Sequence, residues 1–156
     1  MSITPQAFQL HLSQLGNTKK YLIAYSGGVD SHVLLHLCAQ LKTDFDDFKE
    51  SFSAVYINHG LSPNSRQWGK HCRNICNNLG IPITIINVDG RAKKGQSPEA
   101  SARIARYHAF AQLLVKNETL LAAQHLDDQA ETLLLQLLRG SGVKGLSAMP
   151  KKKPFA

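Results

Sequence analysis

Apolar positions along the chain switch between two periods. Phe8, Leu12 and Leu15 recur at helical spacing behind Thr4-Pro5, a capping residue followed by a proline suited to the first helical position, and Gly16 stops that helix. Residues 21–25 are a continuous apolar run and predict a strand. The run leads directly into Ser26-Gly27-Gly28-Val29-Asp30-Ser31, after which Val33, Leu34, Leu37 and Leu41 make a helical stripe. A second strand, 52–57, leads to Asn58-His59-Gly60-Leu61-Ser62. The helix that follows carries Trp68, Ile75 and Leu79 on one face and stops at Gly80. Residues 81–88 predict a third strand.

The polar, basic stretch 89–97 reads as a loop, and Pro98 suits a helix start. That helix turns Ile104, Ala105, Phe110, Leu113 and Leu114 towards the core, and it places Glu99, Arg103 and Arg106 on one face. Residues 119–123 predict a fourth strand and 127–138 the helix after it. Strands that alternate with helices, without hairpin signals, require parallel crossovers, so the expected fold is α/β, a three-layer open parallel sheet. Ligands of such sheets bind beyond the carboxyl ends of the strands. Three polar clusters fall there: 26–31, 58–62 and 124–128.

Composition narrows the class. The chain has 156 residues, 43% hydrophobic and 19% charged, which fits one globular domain and neither a disordered nor a membrane protein. No apolar run approaches the ~20 residues of a membrane span, and Met1 to Leu10 lacks a signal-peptide pattern, so the expectation is a cytoplasmic protein with no membrane partner. Cys38, Cys72 and Cys76 leave an odd thiol under any pairing, which argues for a reducing compartment. The formal charge is +7, and from Arg66 to Lys116 nine basic residues face two acidic ones, Asp89 and Glu99. Such a segment favours a phosphate-rich partner; a solvated basic face is the plain alternative.

The first polar cluster carries the sharpest chemistry. Two glycines between a buried strand and a helix start let the backbone turn tightly and approach a ligand, while the helix end offers N–H groups and a positive dipole. This is a phosphate cradle. It lacks the lysine of the Walker loop and the G-x-G-x-x-G of dinucleotide folds. The structural alternative makes Asp30 or Ser31 an N-cap and the glycines a turn.

Ser26-Gly27-Gly28-Val29-Asp30-Ser31 resembles the pyrophosphatase loop of the ATP-pyrophosphatases, which cleave ATP between its α and β phosphates. Further segments narrow the resemblance to the tRNA(Ile)-lysidine synthetases of the MesJ family. These are Tyr56-Ile57-Asn58-His59-Gly60-Leu61-Ser62, Glu99-Ala100-Ser101-Ala102-Arg103 with Arg106-Tyr107, His125-Leu126-Asp127-Asp128-Gln129-Ala130-Glu131-Thr132, and Leu138-Arg139-Gly140-Ser141-Gly142. The resemblance implies a Rossmann-like adenine nucleotide alpha hydrolase fold. It also implies a reaction in which ATP adenylates carbon 2's oxygen on the wobble cytidine of a CAU-anticodon isoleucine tRNA, and free lysine then displaces AMP to give lysidine. ATP and Mg2+ are the implied cofactors, and tRNA and lysine the implied partners. A homodimer is compatible with it. Family members carry further sequence beyond such a domain, so residues 1–156 are expected to be the N-terminal ATP-pyrophosphatase domain of a longer protein.

Site residues follow position by position. Ser26, Gly27, Gly28, Val29, Asp30 and Ser31 would cradle ATP, with His59 at its adenine or ribose unless it serves only to stabilise its loop. Asp30 and Asp127 offer hard oxygens to magnesium. Asp30, Arg103, His125 and Asp128 are the expected catalytic set; Arg106, Asp128, Glu131 and Arg139 would meet lysine or tRNA. Asp128-x-x-Glu131 is equally a capping pair, and Arg103 and Arg106 equally a solvated helix face, when the resemblance is set aside. Another ATP-pyrophosphatase acting on tRNA, such as a thiolase, and a non-catalytic nucleotide-binding module are the alternatives. No C-x-x-C supports the former.

Other candidates read as structure. Cys72 and Cys76, one turn apart beside His71, are too few for a metal site and read as buried thiols. His32 and His36 lack the glutamate of a zincin and are not read as metal ligands. Tyr25, Tyr56 and Trp68 could stack on a base, but core packing is the expectation for each.

Overall fold

The computed structural model describes residues 4–15, 19–60, 64–89 and 97–123, with the side chains of 98–100 left aside. All its elements lie within one compact unit, Met1–Ala122. In chain order they are α1 (Pro5–Ser13), β1 (Lys20–Ala24), α2 (Val29–Asp44), a short 3-10 turn (Asp46–Phe48), β2 (Phe52–Asn58), α3 (Ser65–Asn78), β3 (Ile83–Asn87), α4 (Pro98–Leu113) and β4 (Glu118–Leu121). The predicted alternation is therefore present, with each boundary within a few residues of the sequence pattern. Thr4 caps α1 as expected, its hydroxyl accepting from the Ala7 N–H at 3.2 Å.

The four strands form a parallel sheet in the order β3-β2-β1-β4. The chain moves outward from β1 through β2 to β3, then crosses back over the sheet to place β4 on the other side of β1. With right-handed crossovers that reversal puts α4 on the face opposite α2 and α3. Burial agrees. Tyr21 and Ile23 of β1 and Tyr25 just after it pack with Leu35, Cys38 and Leu41 of α2 and with Cys72 and Cys76 of α3, whereas Leu22, Val55 and Ile57 pack with Ala109 and Phe110 of α4. The strand period of two sends alternate residues to the two helical layers.

Register is held by Tyr21 opposite Phe52 and Ala54 opposite Ile83. The Tyr21 and Phe52 rings stack with centroids 5.4 Å apart, and Phe48 extends the stack.

Three single positions differ from expectation, while Leu34, Leu37, Leu41, Ile75, Leu79, Phe110, Leu113 and Leu114 are buried or packed against the core as expected. Val33, Trp68 and Ile104 are 49%, 56% and 56% exposed. The buried residues of these helices are the expected Leu37, Leu41 and Phe110, joined by Ser31, Leu35 and Cys38 in α2, Gly69, Cys72 and Cys76 in α3, and Ser101 and Ala109 in α4. Small side chains on those faces let the helices approach closely, and the bulkier neighbours a quarter-turn or more away point to solvent. At Gly69 an added Cβ would already touch Tyr56 and Ile85 at 3.7 Å. Tyr25 and Tyr56 are core residues, as expected, at 1% and 6% exposure.

Candidate functional site

β1 ends and α2 begins within four residues. Tyr25 still donates its N–H to Val55 O at 2.9 Å, and the chain then turns through Ser26, Gly27 and Gly28. Gly27 sits at φ +81°, in the left-handed region, and a Cβ built there would stand 3.1 Å from the Cys72 sulfur. Glycine is therefore favoured twice over, by conformation and by space.

The N-cap of α2 is Gly28, with extended backbone and no side-chain cap bond. The N-cap position is thus held by a glycine and not by Asp30 or Ser31. Ser31 is turned inward, 5% exposed. Its hydroxyl donates to Gly28 O at 2.9 Å, lies 3.0 Å from the Ser26 hydroxyl, and accepts from Ser26 N–H at 3.3 Å. The two flanking serines thus lock the loop from within. The Gly28 N–H donates to Ser26 Oγ at 3.3 Å, so the loop's own serine partners the cap residue, and the positive end of the α2 dipole lies at this turn. Asp30 stands exposed in that first turn, and Val29, 79% exposed, flanks it.

Parallel strands bring the end of β2 to the same edge. Asn58 donates to Asn87 Oδ1 at 2.9 Å and accepts from Gly60 N–H at 3.0 Å, so Asn58 is the residue that stabilises this loop. His59 is not. Its Nδ1 is buried without a hydrogen-bond partner, and its pKa is lowered, first by burial and then by the positive charge of Arg106. Arg106 of α4 is thereby brought to the His59 end of the sheet. Arg103, also exposed, lies instead over the Tyr107 ring, 5.5 Å from its centre. His125, Asp127, Asp128, Glu131 and Arg139 lie outside the described residues.

Cys72 and Cys76 are buried thiols, as expected, and burial raises the pKa of both, Cys76 to about 12. Sequence reasoning missed that Cys72 lies directly against the glycine loop. No local signal could have shown it, since 45 residues separate Gly27 from Cys72. Among the described residues no group of three or more His, Cys, Asp or Glu side chains converges as a metal site.

The cradle fits a triphosphate. Two glycine positions without side chains, a helix N-terminus with its positive dipole end and an exposed carboxylate are the groups that a nucleotide and its hard counter-cation need. A parallel α/β sheet with such a loop at the switch point beside β1 defines a protein of the nucleotide-binding α/β class.

The sequence pattern of the PP-loop domain matches residues 4–156, and the chain belongs to that family. It is 49% identical over 150 residues to a tRNA(Ile)-lysidine synthase of Coxiella burnetii, covering 96% of this chain and 33% of the relative. The lysidine synthase of Escherichia coli O157:H7 is 46% identical, over 92% of this chain and 32% of its own length. The chain thus spans about a third of the length of the curated relatives it matches. Among solved structures, the U34-tRNA thiolase NcsA of Methanococcus maripaludis superposes with a TM-score of 0.66 at 22% identity, covering 83% of this chain and 46% of that one. An NH3-dependent NAD synthetase of Campylobacter jejuni follows at 0.59 and 16% identity, covering 90% and 62%. These two likenesses establish the fold. Among the described residues no helix is long and apolar enough to cross a membrane.

Proposed function

We propose that this chain is the ATP-cleaving domain of a lysidine-forming ligase acting on the wobble cytidine of a CAU-anticodon isoleucine tRNA. Identity of 45–49% to lysidine synthases, over nearly the whole chain, is the observation that carries this reading. The folded glycine loop supplies its chemical half.

In the first step the cytidine O2 attacks the α-phosphorus of ATP; a phosphorus–oxygen bond forms and pyrophosphate leaves. In the second, an amino group of lysine bonds to carbon 2, AMP departs with the oxygen, and the amine gives up a proton. The loop amides and the dipole of α2 hold the triphosphate where its charge grows. Gly27 and Gly28 let the backbone approach, and Ser26 and Ser31 keep that backbone fixed. Mg2+, held by Asp30 together with Asp127, would neutralise charge on the phosphates. Arg103 is assigned to the α-phosphate or the RNA backbone and Arg106 to tRNA. The unpartnered His59 Nδ1 suits a donor on the adenine or ribose. Asp128 and Glu131 would receive the lysine ammonium, His125 would assist proton transfer, and Arg139 would meet tRNA.

The test is mass spectrometry of nucleosides from an unmodified CAU-anticodon isoleucine tRNA after incubation with ATP, Mg2+ and lysine. The chain is compared with a form extended to the length of its relatives. A lysine-sized increment on cytidine, lost in Asp30→Ala, is expected; its absence from both forms would overturn the reading.

A further inference from the structure

Among the described residues, His32 and His36 are the histidines whose rings pair with each other. Their Nε2 atoms lie 3.2 Å apart across one turn of α2, with ring centroids 4.7 Å apart and planes inclined by 48°. On its other side, His32 Nδ1 lies 2.9 Å from the hydroxyl of Tyr25. Tyr25 directly follows β1 and is 1% exposed, and burial raises its pKa to about 12, so the phenol stays neutral. The His32 ring is therefore held from the sheet, with its outer nitrogen turned towards the exposed His36.

We propose that His32 and His36 bind a divalent transition-metal ion of borderline softness through their Nε2 atoms, with Tyr25 orienting His32 and water completing the coordination. Two imidazole nitrogens at about 2.0–2.1 Å from one ion are about 2.9 Å apart at a right angle and about 3.3 Å apart at the tetrahedral angle. The observed 3.2 Å falls between these, so the two nitrogens already stand at the separation of neighbouring ligands, and rotation of the exposed His36 ring turns its lone pair from His32 to the ion. The sequence motif H-x-x-x-H supplies the helical spacing that metal-binding helices use, and Tyr25 stands in for the outer partner that ligating histidines usually have.

Proton bookkeeping closes without an added base. Before binding, one Nε2 carries the hydrogen shared by the pair. On binding, the ring carrying it becomes the Nδ1–H tautomer, and in His32 that N–H donates to the Tyr25 oxygen. The site differs in kind from the phosphate cradle, since imidazole nitrogen suits Zn2+, Ni2+ and Cu2+ whereas Mg2+ takes oxygen. The buried thiols of Cys38, Cys72 and Cys76 do not compete for the ion.

The experiment is calorimetric titration of the nucleotide-free chain with Cu2+, Ni2+ and Zn2+ in chelator-free buffer at neutral pH, with NMR of the histidine ring nitrogens. One equivalent should bind, Cu2+ most tightly, shifting the Nε2 signals of His32 and His36 and not those of the other histidines. His32→Ala and His36→Ala should each weaken binding at least about tenfold, and Tyr25→Phe about 10–100-fold, with circular dichroism unchanged. His36 is exposed, so its variant tests the site without a folding cost. Unchanged affinity in His36→Ala, or ring shifts confined to other histidines, would overturn the proposal.

Discussion

Gly27 and Cys72 meet face to face between the β1–α2 loop and α3: a Cβ at Gly27 would lie 3.1 Å from the Cys72 Sγ. The glycine loop is thus seated on a buried thiol from the next helix, and its shape depends on a layer contact as much as on its own residues. A Cβ there is disfavoured by the φ of +81° and crowds the Cys72 sulfur, which would have to give by a few tenths of an ångström.

Gly27→Ala should therefore cost about 1–2 kcal/mol for the left-handed conformation alone, with the sulfur contact added to it. At about 2–4 °C per kcal/mol, a melting curve should fall by several degrees, and ATP affinity should fall with it. Adding Cys72→Ala to Gly27→Ala removes the clash but leaves the backbone strain, so the double variant should recover part of the loss. Additivity of the two changes would rule out the contact as the cause.

Ser31 makes three hydrogen bonds to Ser26 and Gly28 from a buried position. Ser31→Ala leaves part of that set unpaired and should destabilise the domain by about 1–3 kcal/mol. Denaturant titration reads the loss directly. Weakened nucleotide binding in conditions where the variant is fully folded would separate the loop-locking role from general stability.

His59 has a folded pKa below its ordinary 6.5. The unfolded chain then binds the proton more readily. Stability from this residue is whole above pH 6.5 and declines as pH falls from there through the lower folded value. NMR titration of the ring should place His59 below 6.5, and Arg106→Gln should raise it part of the way, because burial is the larger cause and remains. A His59 pKa unmoved by Arg106→Gln would show that the two are not electrostatically linked.

Trp68 is the sole tryptophan of the chain and is 56% exposed on α3. Its fluorescence should be red-shifted and readily quenched by acrylamide in the native protein, changing little on unfolding. Blue-shifted, protected emission would contradict the helix phase described for α3. Trp68→Ala should change stability by no more than about 0.5 kcal/mol, as for an ordinary surface position.

Strand-and-helix alternation, the Thr4-Pro5 helix start, the Gly80 stop and the glycine loop were all legible in the chain, because period, capping chemistry and turn chemistry are local properties. The turn at the head of α2 was legible for the same reason: Ser26 to Ser31 are contiguous, and the hydrogen bonds between Ser26, Gly28 and Ser31 lie within that segment.

Helix phase was legible only in part: Leu37, Leu41 and Phe110 are buried where their stripes place them, but three positions are not, Val33, Trp68 and Ile104. Each is apolar and falls on a plausible stripe, yet the sheet chooses the stripe with small residues, since Gly69, Ser101 and Ala109 permit closer packing than a large side chain does. Long-range neighbours were hidden likewise. The approach of Arg106 to His59 and the seat of Gly27 on Cys72 arise because the order β3-β2-β1-β4 brings distant segments to one edge. Tyr25 reaches His32 from only seven residues away, but its hydroxyl direction depends on the pleat of β1 against α2. The sequence by itself determined which elements form and where the phosphate loop stands; the tertiary structure decided which faces are buried and which side chains meet, because burial is settled by packing between layers and not by neighbours along the chain.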